Sequence, residues 1–113
     1  MTEIWHNPRC SKSRQTLALL EERGEALTVR RYLEDAPTEA EIRAALAALG
    51  VTPIAITRKG EKIFKELGLS ADTPDDDLIA AMVAHPILVE RPIVLKDGKA
   101  AMGRPPESVL DIL

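Results

Sequence analysis

Three observations predict an α/β fold for this chain. Short strand-like segments occur near both ends, at about 2–5, 27–32 and 93–103. Amphipathic helical stretches lie between them, and turn-forming residues mark the joins. Residues 2–5 alternate as a strand should, and Asn7-Pro8 closes that strand with a loop signal. Residues 11–23 read as a helix: Ser13, Leu17, Leu20 and Gly24 recur at three- and four-residue spacing, with Gly24 as the stop. The run from Leu27 to Tyr32 is β-branched and aromatic, although its alternation is imperfect. The opening is therefore a βαβ unit with Cys10 in the loop before its helix.

The middle of the chain is expected to be helical. Thr38 and Glu41 form a capping-box pattern, and Ile42, Ala45, Leu46 and Leu49 give one apolar face before Gly50. Thr52-Pro53 places a cap before a proline at the first helical position, and short helical pieces should follow up to the break at Gly68. Thr73-Pro74 repeats the starting signal. Leu78, Ile79, Met82 and Val83 supply a face, and His85-Pro86 ends it. Strand character returns at Ile93–Leu95, followed by Asp97-Gly98, a strong hairpin signal, and a returning strand over 100–103. A last helix is expected from Arg104-Pro105-Pro106, with Val109, Leu110 and Leu113 facing the core. The whole reads as one domain over 1–113: βαβ, a helical insertion at about 36–86, then ββα.

Composition excludes several function classes. A net charge of −3 gives no global attraction to nucleic acid or anionic lipid. No apolar run approaches the roughly 20 residues that span a bilayer, and the amino terminus has no signal-peptide pattern. A cytoplasmic protein with neither a membrane nor a nucleic-acid partner is expected. One cysteine and two histidines, His6 and His85, leave no set for a structural metal site or an internal disulfide. Charge is unevenly spread, however. Arg9, Lys12 and Arg14 surround Cys10 without an intervening acid, which suits a small anionic ligand.

A lone cysteine is by default a buried, inert small hydrophobe. Cys10 has a different setting, at the first turn of a helix. The free N–H groups there and about half a unit of positive dipole charge stabilise an anion. Such sites, with cationic neighbours, lower a thiol pKa from about 8.5 to roughly 3.5–7.5. Cys10 is therefore the candidate nucleophile, and the same N–H groups suit an oxyanion. Ser11, Lys12, Ser13 and Arg14 are the candidate substrate-binding residues of that turn, the two serines serving either the anion or the helix cap. His6 reads either as a cation or proton donor near the thiol or as a structural residue. Arg91-Pro92 and Arg104-Pro105 each hold a guanidinium fork on a restrained backbone.

These residues, in this order, resemble a known family. The matching segments are His6-Asn7-Pro8-Arg9-Cys10 with Ser13-Arg14 and Thr16-Leu17, Tyr32-Leu33-Glu34, Arg58-Lys59, Glu66-Leu67-Gly68-Leu69, His85-Pro86-Ile87-Leu88, Arg91-Pro92-Ile93-Val94 and Gly103-Arg104-Pro105. They make the chain similar, over nearly its full length, to the glutaredoxin-coupled arsenate reductases of the ArsC family. The Cys10-Ser11-Lys12-Ser13 version, and Gly103 before Arg104, look closer to the chromosomal arsenate-reductase-like branch than to the dedicated resistance enzymes. The resemblance implies a thioredoxin-like fold with a mixed sheet and a cis bond at Arg91-Pro92. It implies that Cys10 attacks the arsenic of arsenate, that His6 favours the thiolate, and that Arg58, Arg91 and Arg104 hold the oxyanion. It further implies no bound cofactor, glutathione as co-substrate and glutaredoxin as protein partner. Two alternatives stand beside it: a thiol reductase for another substrate, and a binding or regulatory protein of Spx type. Spx-type proteins usually carry a second cysteine where this chain has Ser13.

Overall fold

The computed structural model describes residues 1–113, which form two compact units: residues 1–35 with 91–113, and residues 36–90. In the first unit, β1 (Thr2–His6) is followed by helix α1 (Ser11–Glu22) and strand β2 (Leu27–Arg31). Strands β3 (Ile93–Lys96) and β4 (Lys99–Met102) complete the sheet, and a 3₁₀ segment, Pro106–Ile112, ends the unit. The strand order is β2-β1-β3-β4. The β1–β2 pairing is parallel, while β3 runs antiparallel to both β1 and β4. This is the expected mixed sheet.

The register sets the core. Ile4 of β1 lies opposite Val94 of β3, and both pack with Leu20 of α1 and Val109 of the terminal segment, all four fully buried. Burying such aliphatic side chains is worth about 1.5–3 kcal/mol each. The imperfect alternation of β2 follows from its position at the sheet edge, where Thr28, Val29 and Arg31 face solvent. The β3–β4 turn forms where Asp97-Gly98 predicted it. Both residues have positive φ, +50° and +80°, the pair a two-residue type I′ hairpin requires. The returning strand starts at Lys99, one residue earlier than expected. The last segment is wound as 3₁₀ rather than α; Val109 is buried, while Leu110 and Leu113 are only half-buried.

The second unit contains helices α2 (Glu39–Leu49), α3 (Lys62–Glu66) and α4 (Asp75–Ala84), with 3₁₀ turns at Pro53–Ile56 and Pro86–Leu88. The capping box at α2 is complete. Glu41 N–H donates to Thr38 Oγ1 at 3.2 Å, and Thr38 N–H donates to Glu41 Oε1 at 2.9 Å. Replacing Thr38 by alanine leaves a helix-terminal N–H without its acceptor. The expected loss is about 0.5–2 kcal/mol of stability in urea unfolding at pH 7. The second Thr-Pro signal behaves differently. Pro74 itself occupies the cap position of α4, and the Thr73 hydroxyl accepts instead from Ser70 N–H at 2.8 Å. Three acids in the first turn, Asp75, Asp76 and Asp77, favour that helix start through its dipole.

Candidate active site

The site lies where β1 gives way to α1. Asn7 opens a tight turn: its carbonyl accepts from Cys10 N–H at 3.0 Å and its Oδ1 accepts from Arg9 N–H at 2.9 Å. Pro8 suits the second position of that turn. The Arg14 guanidinium closes over it, Nη1 donating to the Pro8 carbonyl at 2.9 Å. Cys10 is thereby fixed as the residue that precedes the first turn of α1, with extended backbone angles. Among the three helices of ten or more residues, only α1 has no acid in its first turn. Its positive end is therefore left for an external anion or for the sulfur.

The sulfur is half-buried. Burial opposes ionisation, but it is outweighed by the N–H groups of Ser13 and Lys12, by the Arg91 guanidinium and by the charge of Arg104, so the thiol pKa is lowered. The two backbone N–H groups face Sγ without closing a capping hydrogen bond. Arg104 Nη2 does reach it, donating to Sγ at 3.5 Å, while Arg104 Nε is braced on the Arg91 carbonyl at 2.9 Å. Arg91-Pro92 and Arg104-Pro105 are both cis. The first was expected and the second was not.

Gly103 explains how Arg104 gets there. Its N–H donates to the Pro92 carbonyl at 3.0 Å. A Cβ built on it would collide with Thr16 Oγ1 and lie 2.6 Å from Pro92 Cγ. The absence of a side chain lets the chain leaving β4 press against α1 near Cys10. The sequence marked this glycine only through the family resemblance. A glycine directly before an Arg-Pro pair at a strand end was the available physical signal.

Ser13 and His6 take roles the sequence left open. Neither Ser11 nor Ser13 is the helix cap, since Cys10 holds that position. The Ser13 hydroxyl is buried; it accepts from Asn7 N–H at 3.0 Å and bonds His6 Nδ1 at 2.6 Å. Ser13 thus offers its backbone N–H to the sulfur and its hydroxyl to the loop. His6 is also buried, and burial, reinforced by the charges of Arg31 and Arg14, depresses its pKa below 6.5. That shift favours the neutral imidazole, whose Nδ1 is held on the Ser13 hydroxyl. Ser11, Lys12 and Arg14 are exposed on the first turn. Arg58 belongs to the second unit. There Nε meets Glu61 Oε2 at 3.0 Å and Nη1 meets Glu90 Oε1 at 2.7 Å.

The pH consequence of His6 follows from linkage. The unfolded chain, with a pKa near 6.5, takes up the proton before the folded chain does. The His6 contribution to stability is complete above pH 6.5 and declines as pH falls from there toward the depressed folded value. Urea unfolding of the wild type should show a drop between pH 7 and pH 5 that is smaller in His6→Asn. Equal drops would remove His6 as the cause.

The mixed sheet, with the single cysteine at the start of α1, has the order of a thioredoxin-like fold. The ArsC family model matches residues 5–112. An arsenate reductase of Neisseria meningitidis serogroup A is 47% identical, over 98% of this chain and 97% of that protein. The uncharacterized Escherichia coli K12 protein YfgD is 48% identical over 98% and 95%. The solved arsenate reductase of Vibrio cholerae superposes with a TM-score of 0.94 at 50% identity, covering 99% and 97% of the two chains. The chain belongs to the ArsC family.

Proposed function

We propose that this protein is an arsenate reductase in which Cys10 is the nucleophile and glutathione and glutaredoxin supply the electrons. The observation that carries the reading is the cationic cradle on the sulfur: Arg104 at 3.5 Å, with Arg91 and two helix N–H groups also favouring the anion. The full-length similarity to proteins named arsenate reductase supplies the substrate.

In the first step the Cys10 thiolate attacks arsenic(V), forming a sulfur–arsenic bond, while one arsenate hydroxyl takes up a proton from solvent and leaves as water. Arg91 and Arg104 neutralise the charge on the remaining oxygens, which a planar fork does well. Lys12, Arg14 and the Ser11 hydroxyl border the same helix start. Arg58 enters this proposal as a third oxyanion group through the match of Arg58-Lys59 to the family. In the second step a glutathione thiolate attacks the Cys10 sulfur. The sulfur–arsenic bond breaks, its electron pair stays on arsenic, and arsenite(III) leaves after taking up a proton. Two thiols have become one disulfide, the two-electron balance the reduction needs. Glutaredoxin then attacks the glutathione sulfur and returns Cys10 as a thiolate.

With Cys10 the only cysteine, the chain cannot close that disulfide internally. The test is arsenate-dependent NADPH oxidation with glutathione, glutaredoxin and glutathione reductase. Multiple turnovers should require all of these. Sustained turnover with thioredoxin and its reductase alone, or trapped Cys10–Cys10 dimers in place of a glutathione adduct, would overturn the proposed electron path.

A further inference from the structure

We infer that the groove between the Cys10 loop and the end of β2 is the docking site for the peptidic thiol that resolves the Cys10 adduct. The inference rests on the proposed function and assigns to it a binding surface distinct from the oxyanion cradle. The groove has a volume of about 280 Å³ and lies wholly within the first unit. His6, Asn7, Pro8 and Arg9 form one wall, and Arg31, Leu33 and Glu34 form the other. Its volume falls just under the about 300–1,000 Å³ of sites for drug-sized ligands, which suits a molecule of a few amino acids.

The lining matches the charges of a zwitterionic, net-anionic tripeptide. Arg9 and Arg31 are exposed cations on opposite walls, placed to take carboxylates. Glu34 is the one acid and can accept from an ammonium group. Leu33 presents an apolar side chain, 41% exposed, to the same groove. Two arginines against one glutamate leave the net charge of the lining positive. The Arg9 wall is one peptide bond from Cys10, whose sulfur is not itself part of the lining, so the inference requires a thiol held in the groove to reach Cys10 around the loop. Arg91 and Arg104 are not among the lining residues, so the oxyanion and the thiol need not compete.

Arg31→Gln tests this, because Arg31 belongs to neither the oxyanion cradle nor the active loop. Its KM for glutathione should rise about tenfold, with the KM for arsenate unchanged and activity with uncharged 2-mercaptoethanol retained. Arg31→Lys should recover most of the loss. A second arm needs no arsenate: glutathione disulfide reacts with the Cys10 thiolate to give the mixed disulfide and free glutathione. Mass spectrometry should show this reaction slowed in Arg31→Gln and in Leu33→Ser, while alkylation by neutral iodoacetamide proceeds at the wild-type rate. If arsenate is not reduced at all, the proposed function fails and the disulfide arm still decides the groove. Unchanged glutathione kinetics in both arms, or equal slowing with the neutral reagents, would overturn the docking site.

Discussion

Replacing Cys10 by serine is expected to lower arsenate turnover by more than about 10³-fold, the scale on which removal of a covalent nucleophile acts. A serine hydroxyl at that position sees the same N–H groups and arginines, but its far higher intrinsic pKa leaves it protonated at neutral pH. The wild-type thiol should be alkylated by iodoacetamide with a pH midpoint below the about 8.5 of a free cysteine, because the helix N–H groups, Arg91 and Arg104 outweigh the cost of its burial. Arg104→Lys should move that midpoint upward. It keeps the charge and loses the fork that both reaches Sγ and rests on the Arg91 carbonyl. A midpoint at or above 8.5 in the wild type would falsify the activated thiolate, whatever the turnover assay gives.

The second large effect is structural. Gly103→Ala should cost about 1–3 kcal/mol, as overpacking does, and Gly103→Val more. The new Cβ meets the Pro92 ring and the Thr16 hydroxyl, neither of which yields easily: Pro92 is a buried ring, and Thr16 Oγ1 donates to the Lys12 carbonyl at 2.8 Å. Any accommodation must push the following residue, Arg104, away from Cys10. Loss of kcat/KM for arsenate should therefore exceed what the unfolded fraction explains. Urea unfolding combined with the coupled assay separates the two. A Gly103→Ala protein of wild-type stability and activity would show that the contact is slack.

What the sequence determined by itself were features carried by a few neighbouring residues. The 3.6-residue period of α1, the Thr38–Glu41 box, the Asp97-Gly98 turn and the position of Cys10 before a helix are set by residues within a few positions of one another, and each formed as read. The same local logic gave way where a distant partner competed. Ser13 could have served the anion or the helix end; it turned inward because β1 brings His6, and the loop after it Asn7, alongside the first turn of α1. Composition left the charge of His6 open, and burial shifts its pKa down, toward the neutral form. Only the tertiary structure decided that Arg104 meets a sulfur 94 residues away, and that Gly103 has no room for a methyl group. Those contacts depend on the register of β1 against β3, Ile4 opposite Val94, and on the packing of α1 over it. A pairing register and a close approach across a core are sums over many side chains, so no segment of the sequence states them alone.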